Sequence, residues 1–113
     1  MPAGSVVLWV SDVHIPHHDE RACRLMVECA EASGTTHVIL GGDIADCGPA
    51  SPHAGKKAKD LIEWGDLERS VRPGRWLFDW ARSKQCYYLL GNHERWVESA
   101  SQNDPKLQCV APE

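Results

Sequence analysis

Nowhere in the 113 residues is there an apolar run fit to cross a bilayer: the longest hold about five residues, against the roughly 20 that a helical span requires. The opening residues lack a basic n-region, and the apolar run at 6–10 is too short for the core of a signal peptide. We therefore expect a cytoplasmic protein without membrane contact. Cysteine is present but unpatterned. The five residues, at 23, 29, 47, 86 and 109, form no C-x-x-C pair, and their odd number argues against a disulfide framework and for mostly buried free thiols in a reducing compartment. Positive charge is also short, with 12 Lys and Arg against 16 Asp and Glu and a formal net charge of -4. A protein that grips long nucleic acid by neutralising phosphates needs the opposite balance, although a small phosphate ester stays open as a ligand. Neither G-x-G-x-x-G nor G-x-x-x-x-G-K-[ST] occurs, which removes the usual basis for a dinucleotide or P-loop site.

What the chain does have is the composition of one globular domain: 42% apolar residues, 25% charged residues and five Trp. No repeat and no linker divides residues 1–113. Three short apolar runs stand out, at 6–10 (VVLWV), 38–40 (VIL) and 87–90 (YYLL). They are nearly continuous rather than alternating, which predicts strands of a parallel sheet covered on both faces. Between the first two, Ala22, Leu25, Met26, Cys29, Ala30 and Ser33 follow the spacing of a buried helical stripe, with Asp19 placed to cap its start and Gly34 to end it. Residues 47–57 (CGPASPHAGKK) are rich in Gly, Pro and Ser and read as loop. From about residue 59 to 83 the pattern is helical again, and Pro73-Gly74 must divide it into two segments. A short helix after Glu94, to about residue 100, completes a parallel β-α-β-α-β unit of the α/β class.

Each expected strand runs directly into residues of the kind that bind metals. Ser11-Asp12-Val13-His14 follows the first, Gly41-Gly42-Asp43-Ile44-Ala45-Asp46 the second, and Gly91-Asn92-His93-Glu94 the third. In an open parallel sheet the carboxyl ends of the strands share one edge, where ligands bind. Topology alone thus gathers Asp12, His14, Asp43, Asp46, Asn92 and His93. Asp12 and His14 are two apart and, if the chain is still extended there, point to the same side. Glycines before Asp43 and Asn92 let the backbone turn sharply near a bound group. Oxygen and imidazole donors together fit a divalent transition ion such as Mn, Fe, Zn or Ni better than Ca or an all-thiolate zinc site.

In this order, Asp12-x-His14, Gly42-Asp43-x-x-Asp46 and Gly91-Asn92-His93-Glu94 resemble the first three motifs of the calcineurin-like metallophosphoesterases, across roughly residues 5–100. The resemblance implies the first half of that family's layered fold and hydrolysis of a phosphate ester with two divalent ions. Asp12 and His14 then hold one ion, Asp43 bridges, and Asn92 binds the second. His93 acts beside the leaving group or the phosphoryl oxygens, with Asp46 orienting it. The Gly-Asn-His-Glu form with Arg95 and Trp96 is similar to bacterial and phage members. Family members normally add a lone His and a Gly-His-x-His segment, whereas no His follows His93 here. That leaves the second ion with Asp43 and Asn92, so its site is expected to be weak. We expect residues 1–113 to be a single domain incomplete at its carboxyl end. The alternative from another class is a truncated, noncatalytic remnant that binds one metal or a partner chain.

Plainer readings stand beside these. A single Asp at a strand end is an ordinary turn residue, but three motifs in register are not explained that way. Glu94 suits the first turn of a helix better than a metal. His17 and His18 are expected to be solvated, His37 to be structural, and His53 to lie in an exposed loop. Cys47 is expected to be a buried thiol beside the site. His17, His18, His53 and Cys47 are nonetheless the candidates for any missing ligand. The Trp residues at 64, 76, 80 and 96 read as core.

Overall fold

The computed structural model describes residues 2–48 and 64–103. Three parallel strands, β1 (Val7–Val10), β2 (His37–Leu40) and β3 (Gln85–Tyr88), form one sheet in the order β1-β2-β3. Val7, His37 and Gln85 stand in register, as do Trp9, Ile39 and Tyr87. Helix α1 (Glu20–Ala32) joins the first two strands. Helix α2 (Trp64–Val71), a 3-10 turn (Arg72–Gly74) and helix α3 (Arg75–Arg82) precede β3, and α4 (Asn92–Asn103) follows it. The fold is α/β, consistent with the first half of the layered architecture.

Local signals explain the helix ends. The Asp19 carboxylate accepts the Ala22 N–H at 2.9 Å, and the chain leaves α1 through Gly34 at φ 70°. Pro73-Gly74 does divide the second helical stretch, and the break has a packing use. A Cβ on Gly74 would lie 2.4 Å from Cδ1 of Ile15, so the missing side chain makes room for a fully buried isoleucine from the loop after β1. Residues 59–63 of the expected helix lie outside the described residues. The third strand begins two residues earlier than its apolar run suggested. Pairing still continues past it, since the Leu89 N–H donates to the Leu40 carbonyl at 2.8 Å.

Two expectations are corrected. First, the sheet is covered on one face only among the described residues. Both crossovers step the same way across the sheet, and right-handed connections then put both sets of helices on one side. Val38, Leu40, Leu77 and Ala81 form the core there with Ile15 and Ile44, each large side chain contributing about 1.5–3 kcal/mol by leaving water. On the other face Trp9 is 59% and Tyr87 52% exposed, with Val7 and Leu89 beside them. Second, the buried stripe of α1 is Cys23, Met26, Val27 and Ala30, while Ala22, Leu25, Cys29 and Ser33 are exposed. The helix carries two overlapping stripes at the same spacing, and the one that packs Met26 and Val27 against the core cluster is the other.

Across the base of the helical layer, the Trp80 indole N–H donates to the Glu31 carboxylate at 2.6 Å and Lys84 pairs with it at 3.0 Å. Arg24 is held by Glu20 and lies 3.7 Å above the Trp76 ring. These contacts tie α1 to α3. His37, at the far end of its strand, pairs its Nδ1 with the Thr36 hydroxyl at 2.7 Å.

Candidate metal centre

The loops after β1 and β2 do more than end at the same edge. They run side by side as a hydrogen-bonded ladder: Asp12 N–H to the Gly42 carbonyl at 3.0 Å, His14 N–H to the Asp43 carbonyl at 3.0 Å, and Ile15 N–H to the Ile44 carbonyl at 2.8 Å. Asp46 N–H then returns to the Ile15 carbonyl at 2.8 Å. Two isoleucines with no exposed surface, Ile15 and Ile44, anchor the ladder in the core. The extended path expected from Asp12 to His14 is not what forms. Asp12 and His14 both have φ 56°, and Asp43 has φ 50°. Asp and His tolerate that left-handed region better than most side chains, and such strain collects where a site needs it. The result keeps the two donors on one side, with His14 Nε2 3.8 Å from Asp12 Oδ1.

Loop three joins by close backbone approach. A Cβ on Gly91 would lie 2.4 Å from the Asp43 nitrogen, and one on Gly42 would lie 3.0 Å from the Gly91 Cα. Only glycine lets these two loops touch. The His93 N–H donates to Asp43 Oδ1 at 2.9 Å. Beneath them sits Glu94, only 3% exposed. Its Oε1 accepts the N–H groups of Asp43 and Gly91, each at 2.7 Å, and its Oε2 accepts the Ala45 N–H and the Tyr88 hydroxyl, each at 2.9 Å. Burial first, and then the Glu94 carboxylate, push the Tyr88 phenol above its usual range, so it remains a donor. Glu94 was expected only as a first-turn acid; its position three residues after Gly91 was the one sequence signal, and its reach across the chain was not readable.

Above this brace, the ligand atoms of Asp12, His14 and Asp43 lie within 4.8 Å of one another, and so do those of His14, Asp46 and His93. His14 faces both groups, with Nδ1 3.1 Å from Asp46 Oδ1. The His93 Nδ1–H donates to the Asp46 carbonyl at 2.7 Å and lies 3.4 Å from Asp46 Oδ1. That fixes Nε2 as the nitrogen His93 has free for other partners. The His93 ring stands edge-on to His14 at 4.5 Å and against Trp96 at 4.0 Å, so Trp96 serves the site as well as the smaller apolar cluster around Leu67 and Val97. Asn92 is the exposed first residue of α4, next to His93. The described ion pairs bring no Lys or Arg to Asp12, Asp43 or Asp46. Carboxylates left without a fixed cation, beside imidazole nitrogens, suit a divalent transition ion.

Of the reserve candidates, His17 is 72% exposed yet has Nε2 3.6 Å from Asp46 Oδ2. His18 is not solvated: its side chain is 5% exposed and its Nε2 pairs with Glu20 at 2.6 Å, away from the site. Cys47 is buried, and loss of solvent followed by the Glu94, Asp46 and Asp43 charges pushes its thiol up to about 12. It is a neutral thiol at ordinary pH. His53 lies outside the described residues.

A parallel sheet with a carboxylate and imidazole cluster at its carboxyl edge defines an α/β protein with candidate metal ligands at that edge. Residues 5–110 match the family description "Calcineurin-like phosphoesterase", and the chain belongs to that family. Neither a curated protein nor a solved structure gives a significant match. Among the described residues, no helix is long and apolar enough to cross a membrane.

Proposed function

We propose that the chain is a metal-dependent phosphoesterase whose first ion is held by Asp12, His14 and Asp43, with Asp43 and Asn92 offered to a second. The observation that carries this reading is the convergence of the Asp12, His14 and Asp43 ligand atoms within 4.8 Å, at the edge where such sheets bind ligands. Divalent ions bound there supply a water of lowered pKa and neutralise charge on the phosphoryl group. His93 keeps Nδ1 on the Asp46 carbonyl and turns Nε2 toward whatever occupies the edge. Protonated at Nε2, it can give a proton to the departing ester oxygen. Asp46 is a positioning residue that holds both His14 and His93 by their Nδ1 edges. Glu94 fixes the backbone that presents Asp43.

Ligand count favours one alternative in particular, since among the described residues the resemblance assigns the second ion only Asp43 and an exposed Asn92. The alternative is a noncatalytic chain that binds a single metal. Titration with Mn²⁺ together with turnover of an aryl phosphodiester and an aryl phosphomonoester separates the two. Two bound ions and turnover abolished by Asp43→Asn support the enzyme; one bound ion without turnover supports the alternative. Asn at 43 can still accept the His93 N–H, so lost turnover in this variant points to the lost carboxylate charge.

A further inference from the structure

We propose that Asp46, His14 and His93, with His17 as a fourth donor, form an imidazole-rich site for one zinc-like ion, distinct from the carboxylate-rich Asp12, His14 and Asp43 group. The geometry is already close. Donors about 2.0–2.2 Å from a tetrahedral zinc stand roughly 3.3–3.5 Å from one another. Around the Asp46 carboxylate, His14 Nδ1 is at 3.1 Å, His93 Nδ1 at 3.4 Å and His17 Nε2 at 3.6 Å; to bind, His93 must give up its Nδ1–H bond to the Asp46 carbonyl and carry its proton on Nε2 instead. The ligand atoms of His14, Asp46 and His93 lie within 4.8 Å of one another and are partly buried, whereas His17 stands outside that group, its exposed side chain approaching the Asp46 carboxylate.

The two ligand groups share His14 through opposite ring nitrogens: Nδ1 toward Asp46, Nε2 toward Asp12. A neutral imidazole has one nitrogen lone pair to give. If Nδ1 binds an ion, the ring carries its proton on Nε2, and His14 is lost to the Asp12 and Asp43 group. Occupancy of one group therefore opposes occupancy of the other. Donor type sets the preference, since carboxylate oxygens suit Mn²⁺ or Mg²⁺ and imidazoles suit Zn²⁺ or Ni²⁺. Zinc at Asp46 would also break the hydrogen bond to the Asp46 carbonyl that orients His93 toward the leaving group, and so act as an inhibitor. That consequence rests on the phosphoesterase reading above; the site itself does not.

The test is binding to the full chain, with Zn²⁺ measured by competition against a chromophoric chelator and Mn²⁺ by electron paramagnetic resonance. His93→Asn keeps a side-chain N–H for the Asp46 carbonyl, and His17→Ala alters an exposed ring, so at least the second should fold normally by circular dichroism. Each is expected to weaken Zn²⁺ binding by about tenfold or more and to leave Mn²⁺ binding unchanged. Asp12→Asn is expected to do the reverse. In the unsubstituted chain, one equivalent of Zn²⁺ should displace bound Mn²⁺. Zinc affinity that falls with Asp12→Asn but not with His17→Ala or His93→Asn overturns the proposal, as does simultaneous binding of both ions without displacement. An inactive chain that shows the expected binding pattern overturns the phosphoesterase reading and leaves this site standing.

Discussion

The buried carboxylate of Glu94 accepts the backbone N–H of Asp43 at 2.7 Å across a sequence separation of 51 residues. With the Gly91 and Ala45 N–H groups and the Tyr88 hydroxyl, it joins the second and third loops into one unit. Glu94→Ala strands three backbone donors, each costing about 1–3 kcal/mol when buried without a partner. We expect a loss of at least about 3 kcal/mol in urea unfolding. Glu94→Gln, which sets an NH₂ group against one of those donors, should also be clearly destabilising. A residue acting only on the helix dipole would cost about 0.3–1 kcal/mol; a loss that small would show that the brace carries little of the stability.

Gly91 and Gly41 offer a controlled contrast. An alanine methyl at 91 meets Asp43 backbone and carboxylate at 2.3–2.4 Å, atoms that cannot move without dismantling the loop. At 41 it meets the Trp9 ring at 2.8 Å, and that ring is exposed and able to turn away. Gly91→Ala is expected to cost about 2 kcal/mol or more and to weaken Mn²⁺ binding, and Gly41→Ala less than about 1 kcal/mol. Thermal melts with and without Mn²⁺ check both. Equal effects at the two sites would mean that the loops are less tightly joined than the distances indicate.

Much of this arrangement was legible in the sequence because it rests on short-range rules. Apolar runs gave three parallel strands, Asp19 and Gly34 marked the ends of α1, and Pro73-Gly74 marked the break before α3. Strand order then brought Asp12, Asp43 and His93 to one edge. What could not be read depends on contacts distant in sequence. The ladder between residues 12–15 and 42–46 needs three positive φ angles at non-glycine positions, which no periodicity announces. Glu94 looks like any first-turn acid until its four partners are in place. The uncovered face with Trp9 and Tyr87 follows from the direction of two crossovers, while a continuous apolar strand reads the same whether one face or both are covered.

Asp46 contacts His14 and His93 at once, and their effects on turnover should therefore not multiply. Under the phosphoesterase reading, Asp46→Asn and His93→Asn each lower kcat by about 100-fold or more. The double variant should be close to the worse single one, because residues that act as a unit are non-additive. Single-turnover rates at saturating Mn²⁺ test this. Losses that multiply would assign Asp46 and His93 to separate steps.

Cys47 adjoins Asp46 but is closed off, whereas Cys29 on α1 is exposed. With the Cys47 thiol pushed up to about 12, almost none of it is thiolate at pH 8. Iodoacetamide followed by peptide mapping should label Cys29 early and Cys47 only after denaturation. Early labelling of Cys47 in the folded chain would put a reactive sulfur beside the site and reopen its place among the ligands.

Glu31 supplies the pH dependence farthest from the metal groups. The Trp80 N–H first, and then Lys84, hold its carboxyl below the ordinary value of 4.5. The folded state therefore binds the proton less readily than the unfolded state does. Its stabilising effect is complete above about pH 4.5 and disappears as pH falls through the lowered folded value. Glu31→Gln removes the charge but keeps an acceptor for the Trp80 indole. The difference in urea midpoint between the original chain and Glu31→Gln should be constant from pH 6 to 7 and shrink in acid. Because this carboxylate sits at the surface, the difference should be small and should narrow in high salt. A gap that widens on acidification would mean that the proton favours the folded state, and the link between α1 and α3 would then not depend on the Glu31 charge.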